Sequence, residues 1–363
     1  MMSSKCEEIK SLTGLRGIAA LYVALYHFKA GKFFGESLAP FFERGYIAVD
    51  LFFVLSGFVI ALTYTSLFEN GFNFSAFKNF MGRRIARIYP LYLIMTLIFV
   101  SFYLLFPDRV PSDVELSSTS IISSLFMIQA WGIALSILTP GWSISTEFAA
   151  YIVFPIFTLL MFKCKNYLGH YLFFISIFII FIMSQFSLGS FYEIDNINNL
   201  NIWKGDTFYP LIRCLCEFAI GIWAYRLYAE DRKFKTILQG KWASTILGIL
   251  LTCLLFITHT DALIVLLIPF FIISLTNEAS TVSKFMSWRP IYLLGVISYS
   301  LYLCHLMTFW IKPELIEILT KNEIPSPYFL TFIFQMVISV ILATAFYICI
   351  EKPGRTLLRK ILK

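Results

Sequence analysis

Long apolar runs separated by short polar ones dominate this chain. Positions 171–183, 247–258 and 329–350 carry almost no charge, and each, with its flanks, is long enough to cross a hydrocarbon core of about 30 Å. Marking such runs predicts spans near 14–30, 46–66, 88–106, 142–163, 167–186, 208–228, 242–259, 261–276, 291–312 and 328–351. The expected fold is therefore all-α: a polytopic membrane protein of about ten transmembrane helices. Only loops lie between the runs and no internal repeat is visible, which predicts a single domain over residues 1–363 with no soluble appendage. The first run holds Arg16 and His27 and lacks a small-residue cleavage site, so it reads as a retained span and not as a signal peptide.

Composition agrees, with 58% apolar and 14% charged residues, a balance foreign to a soluble domain. The 39 Phe and 19 Tyr residues gather near the ends of the runs, where aromatic rings suit the membrane interface. A net charge of +7 would suit a nucleic-acid partner, but the basic residues sit in short loops and form no continuous face, which argues against one. They read instead as orientation signals. With the N-terminus inside, about three quarters of Lys and Arg fall on the cytoplasmic side, so both termini are expected in the cytoplasm.

Segment 121–138 is apolar enough to cross, despite Ser123, Ser124, Gln129 and Ser136. Crossing would invert every later loop and move most basic residues outside, so a re-entrant or interfacial helix is predicted. The seven cysteines, Cys6, Cys164, Cys214, Cys216, Cys253, Cys304 and Cys349, show no CxxC pair and no metal-ligand spacing. They are expected to be small buried apolar residues, with no metal site.

A charged side chain at the centre of a bilayer helix costs on the order of 3 kcal/mol and needs a partner, a watery cavity or a function. Arg16 and His27 are eleven residues apart, which at about 100° per residue returns to within roughly 20° of one helix face. About 16 Å of axial rise separates them, with Arg16 toward the cytoplasm and His27 toward the outer half. A lone membrane histidine is as readily a packing residue as a base. Asp50, near the outer end of the second span, and Glu147, near the start of the fourth, are expected at a similar depth to His27. A carboxylate that orients an imidazole and a base that accepts a hydroxyl proton would use such a set. Each carboxylate also has an ordinary explanation, Glu147 beside a helix N-terminus and Asp50 in headgroup water. Arg213 and Glu217, four apart, read as a structural pair. His305 lies deeper in its span and could line the same cavity, with a core hydrogen bond as its expected role.

A second cluster is basic and cytoplasmic. Arg83, Arg84 and Arg87 open the third span, and guanidinium forks at a helix start suit an anion with several phosphates. Membrane anchoring is the ordinary alternative. Glu351, Lys352 and Arg355 lie on the same side and could pair with them.

Arg16 followed by His27 after ten intervening residues, in a stretch opening Leu12-Thr13-Gly14-Leu15-Arg16-Gly17, resembles the opening of the acyltransferase-3 family of membrane acyltransferases. Val49-Asp50-Leu51-Phe52-Phe53, paired Arg84 and Arg87, Trp142-Ser143-Ile144-Ser145-Thr146-Glu147, Tyr299 through His305, and Glu351-Lys352-Pro353 with Arg355 are similar to its later motifs, in order. The resemblance implies ten spans in a bacterial inner membrane, acetyl-CoA as acyl donor, and a cell-envelope polysaccharide as acceptor, lipopolysaccharide O-antigen or exopolysaccharide. It also implies a catalytic His27 with Arg16 required, and Arg84 and Arg87 at the CoA phosphates. Phe148 stands where relatives often carry a second acidic residue. Many relatives carry an extra extracytoplasmic domain that passes the acetyl group on, so direct transfer or separate glycan-assembly proteins are expected here. Another acyl group, or a lipid or small-molecule acceptor, is the near alternative. A proton-coupled transporter is the alternative of another class.

Overall fold

The structure, a computed structural model, describes residues 8–112, 114–163, 166–186, 200–230 and 232–362. Among these, every regular element is helical. Five helices are long and apolar enough to cross a membrane, namely Ile47–Leu67, Phe74–Leu105, Gly141–Lys163, Tyr167–Gln185 and Pro327–Ile361. Two bent pairs, Arg232–Leu238 with Ala243–Leu254 (68°) and Arg289–Val296 with Ser298–Trp310 (57°), raise the number to seven if each is one span. Asp261–Leu275 is apolar but shorter. Each predicted run coincides with one of these or with Lys10–His27 or Tyr209–Glu230. Those last two are long enough but carry buried polar residues, Ser11 and Thr13 in the first and Arg213, Glu217 and Arg226 in the second.

Eight helices position that site: α1 (Lys10–His27), α2 (Ile47–Tyr64), α3 (Phe74–Leu105), α4 (Ser118–Leu125), α5 (Gly141–Thr158), α6 (Tyr209–Glu230), α7 (Arg289–Val296) and α8 (Ser298–Cys304). α1 ends two residues before Lys29, which takes a left-handed conformation at φ 57°. α3 starts where the Asn73 side chain accepts the Ala76 N–H, one of the first-turn donors that a helix cannot satisfy itself. Its 32 residues rise about 48 Å, more than the hydrocarbon core requires.

Glycines set the closest approaches. A Cβ on Gly57 would lie 2.1 Å from the Phe218 carbonyl oxygen, and one on Gly221 2.0 Å from that of Val54, so α2 and α6 touch backbone to backbone. A Cβ on Gly295 would lie 1.9 Å from the Thr13 oxygen, and one on Gly17 2.5 Å from the Gly295 nitrogen. α1 is thereby pressed onto α7. Small residues permit this van der Waals contact where lipid supplies no hydrophobic drive between helices.

Segment 121–138 does not form a spanning helix. α4 has eight residues, about 12 Å, and turns follow it. Tyr92 donates to the Ser124 carbonyl at 2.9 Å, and Gln129 Nε2 reaches Tyr92 Oη at 2.9 Å and the Gly141 oxygen at 3.1 Å. These bonds hold the segment against α3 and α5. Of the cysteines, Cys214, Cys216 and Cys304 are buried, whereas Cys253 and Cys349 face outward, contrary to expectation. Both sit on outward-facing positions of bundle helices, where a small apolar residue suits lipid as well as core. Cys6 and Cys164 lie outside the described residues.

Candidate active site

A cavity of about 130 Å³ lies among α1, α2, α3, α5 and α8. Arg16, Arg84 and Arg87 enter it from α1 and α3, and Glu147 and Tyr151 from α5. Ser56 on α2 donates a hydrogen bond to Glu147. Arg84 lies over the Tyr151 ring, its guanidinium carbon 5.0 Å from the centroid. Three guanidinium groups therefore line one cavity together with the Glu147 carboxylate. The Nε atoms of Arg16 and Arg84 are buried without a hydrogen-bond partner among the described residues. Such an orphan donor costs about 1–3 kcal/mol, a cost that an anionic oxygen would remove. The volume is below the roughly 300 Å³ at which drug-sized ligand pockets begin, so in this conformation it admits one end of a ligand and not a whole nucleotide-bearing donor.

A histidine pair lies beyond the cavity. His27, at the last residue of α1, is half-buried, and its Nδ1 is 3.0 Å from Nε2 of the fully buried His305. His27 Nδ1 is also 3.1 Å from the Val23 carbonyl oxygen, and His305 Nδ1 is 3.2 Å from that of Leu301. The predicted span 291–312 is not straight. It bends at Ile297 between α7 and α8, and the new direction presents Tyr299, Tyr302 and His305 at intervals of three residues. Tyr302 lines the cavity, bonds Ser143 Oγ at 2.8 Å and stands 6.3 Å, ring to ring, from His305. Tyr302 thus separates the arginine cavity from the imidazole pair.

The predicted convergence of Asp50 and Glu147 on His27 is not what the structure contains. Asp50 receives two bonds from Arg213, Nε to Oδ1 at 3.0 Å and Nη2 to Oδ2 at 2.5 Å. Arg213 Nη1 continues to the Ile202 carbonyl at 3.0 Å. Arg213 and Glu217 do approach, at 3.4 Å, but Asp50 holds the better geometry. All three are almost wholly buried, and in that setting a carboxylate turns to the nearest guanidinium in preference to a neutral imidazole. Glu147 lines the arginine cavity and takes its hydrogen bond from Ser56. Glu351 accepts a hydrogen bond from Ser300 at 2.7 Å, not from Arg84 or Arg87.

Of the residues predicted to act together, Arg16, Glu147, Arg84 and Arg87 meet in one cavity, while His27 and Asp50 each stand apart with another partner. Sequence reasoning missed Ser56, Tyr151 and Tyr302, and it assigned His305 a core role. The three-residue spacing of Tyr299, Tyr302 and His305 was the available signal. Among the described residues no group of His, Cys, Asp and Glu could hold a metal ion.

A family model described as an acyltransferase domain, Acyl_transf_3, matches residues 9–348. The chain belongs to the acyltransferase-3 family. Among curated relatives, a Bacillus subtilis (strain 168) protein named a peptidoglycan O-acetyltransferase, YrhL, is 27% identical over 96% of this chain and 55% of its own length. O-acetyltransferase OatA of Staphylococcus aureus (strain NCTC 8325 / PS 47) is 26% identical over 96% of this chain and 57% of its own. Acyltransferase MdmB of Streptomyces mycarofaciens is 35% identical over 43% of this chain and 40% of its own. The chain thus spans about half the length of the curated relatives it matches. No solved structure matches it. Family membership and the apolar helices together make this a multi-pass membrane protein of an acyltransferase family.

Proposed function

We propose that this protein is an inner-membrane O-acetyltransferase that moves an acetyl group from cytoplasmic acetyl-CoA to a hydroxyl of a cell-envelope glycan. The observation that carries this reading is the cavity in which Arg16, Arg84 and Arg87 outnumber Glu147 and two Nε donors have no partner among the described residues, with Tyr302 between it and the buried His305 that meets His27. Arg84 and Arg87 hold phosphate oxygens of the donor, and Arg16 and the Tyr302 hydroxyl steady its thioester end. His27 takes the proton of the acceptor hydroxyl, the oxygen attacks the acetyl carbonyl, and the thiol leaves with that proton. Asp50 holds Arg213 and acts on the scaffold only.

Ten crossings with both termini in the cytoplasm fit the loop charges. Contacts support the same sides: Arg109 bonds Glu314, and Tyr292 donates to Glu8 at 3.1 Å, each joining ends that the charge count assigns to one face. Of the acceptors, O-antigen and exopolysaccharide follow from the family resemblance, while YrhL is named for peptidoglycan. Mass spectrometry of each glycan from a deletion strain identifies the substrate by which one loses its acetyl esters.

His27→Ala and Arg16→Ala proteins, present in membranes at normal levels, are expected to leave the glycan unacetylated. A fall of at least ~100-fold is the scale for losing a general base. Acetyl esters persisting in the His27→Ala strain would refute the assignment. Acetylated His27 trapped by mass spectrometry would replace direct transfer with an acyl-enzyme route.

A further inference from the structure

The proton positions in the histidine pair follow from its contacts. A carbonyl oxygen can only accept, so His305 Nδ1, 3.2 Å from the Leu301 oxygen, carries a hydrogen. A neutral imidazole has one N–H, which leaves His305 Nε2 as a lone pair facing His27 Nδ1 at 3.0 Å. His27 Nδ1 must then carry the hydrogen of that contact, and it shares it with the Val23 oxygen at 3.1 Å. The opposite arrangement would set a His27 lone pair against two acceptors at once. One tautomer therefore satisfies all three contacts, and in it His27 Nε2 is unprotonated.

We infer that His305 is a positioning residue that holds His27 in the tautomer whose Nε2 accepts the substrate proton. This rests on His27 being the base proposed above. Among the described residues no carboxylate bonds the imidazole: Asp50 bonds Arg213 and Glu147 bonds Ser56. A neutral imidazole anchored to a helix carbonyl takes the place a carboxylate usually fills. The ring is well held for this, with no exposure, and it packs against Phe28 at 6.0 Å between ring centres. When His27 gains a proton on Nε2, its Nδ1–H bond to His305 becomes charge-assisted and strengthens, so the pair also steadies the imidazolium formed during transfer. The proton returns from Nε2 to the leaving thiol, and His305 gains and loses nothing over the cycle.

The test uses the full-length protein in nanodiscs with acetyl-CoA and the envelope glycan identified from the deletion strain. His305→Leu removes the acceptor, and His305→Gln keeps a side-chain oxygen able to take the Nδ1–H bond. The expected result is a ~100-fold lower kcat for His305→Leu with KM for acetyl-CoA within about twofold, and recovery of at least ~10-fold of that loss by His305→Gln. Equal loss in both variants, or a change in KM alone, overturns the positioning role. Full turnover in His305→Leu while His27→Ala is dead removes this inference and leaves the proposed function standing. Turnover in His27→Ala removes both. Matched melting temperatures for the two His305 variants guard against a packing explanation.

Discussion

Two buried arginine environments in this protein, about Arg213 and about Arg16 with Arg84, use the same side chain in opposite ways. Arg213 spends its donors inside the protein: both Asp50 oxygens, the Ile202 carbonyl and a close Glu217 surround it, and it is 1% exposed. Arg16 and Arg84 keep buried Nε atoms with no partner among the described residues. A guanidinium whose hydrogen bonds are complete is part of the scaffold, and one whose donors are left over is available to a ligand. Burial and charge do not separate the two cases. Counting partners does.

This contrast can be broken from either side. The largest effect is expected at Asp50→Ala, which removes both hydrogen bonds between the buried Arg213 and Asp50. Removing one partner of a buried pair costs about 3–5 kcal/mol, so purified protein in detergent should show a large fall in melting temperature or little folded material. A stable Asp50→Ala protein would mean that Arg213 is less dependent on Asp50 than its bond lengths imply. Next come Arg84→Gln and Arg87→Gln, which should fold normally and raise KM for acetyl-CoA. Loss of a charge-assisted bond of about 1.5–3 kcal/mol corresponds to roughly 10- to 150-fold. Unchanged KM in both variants would move the donor phosphates elsewhere. The smallest effect belongs to the exposed pair Arg109 and Glu314. Their hydrogen bond holds the Glu314 carboxyl below its ordinary range, so its contribution is present at neutral pH and lost as pH falls through that lowered value. Both side chains are exposed, and solvent screens the pair. Glu314→Gln should therefore leave melting temperature and turnover unchanged, which a single thermal scan checks.

The helices were legible in the sequence because a bilayer enforces apolar runs of definite length. Segment 121–138 was also readable, since the cost of inverting later loops excluded a crossing, and the structure gives it only one short helix. The break at Ile297 was not readable. No proline stands at the break itself, Gly295 two residues before it also serves the close contact with Thr13 of α1, and the Ser300 hydroxyl just after it donates to Glu351, a partner that only the assembled bundle supplies. The site was half visible. Membrane cost picked out Arg16, His27, Asp50 and Glu147 one by one, but depth along a helix does not say which neighbour each residue faces. Asp50 at the depth of His27 still turned to α6, because Arg213 waited there. His305 looked ordinary alone, since a histidine gains meaning from the atom opposite its second nitrogen.

The backbone contact between Gly17 and Gly295 carries a consequence for biosynthesis. α1 leaves the ribosome with Arg16 already in it, but the surface it presses against is made about 280 residues later. At about 5–20 residues per second that is a delay on the order of tens of seconds, during which the nascent helix must keep its guanidinium in the insertion machinery or at the lipid headgroups. Chains released before position 295 would leave that arginine without its berth, and the cell's quality control would meet them as membrane proteins with an exposed charge.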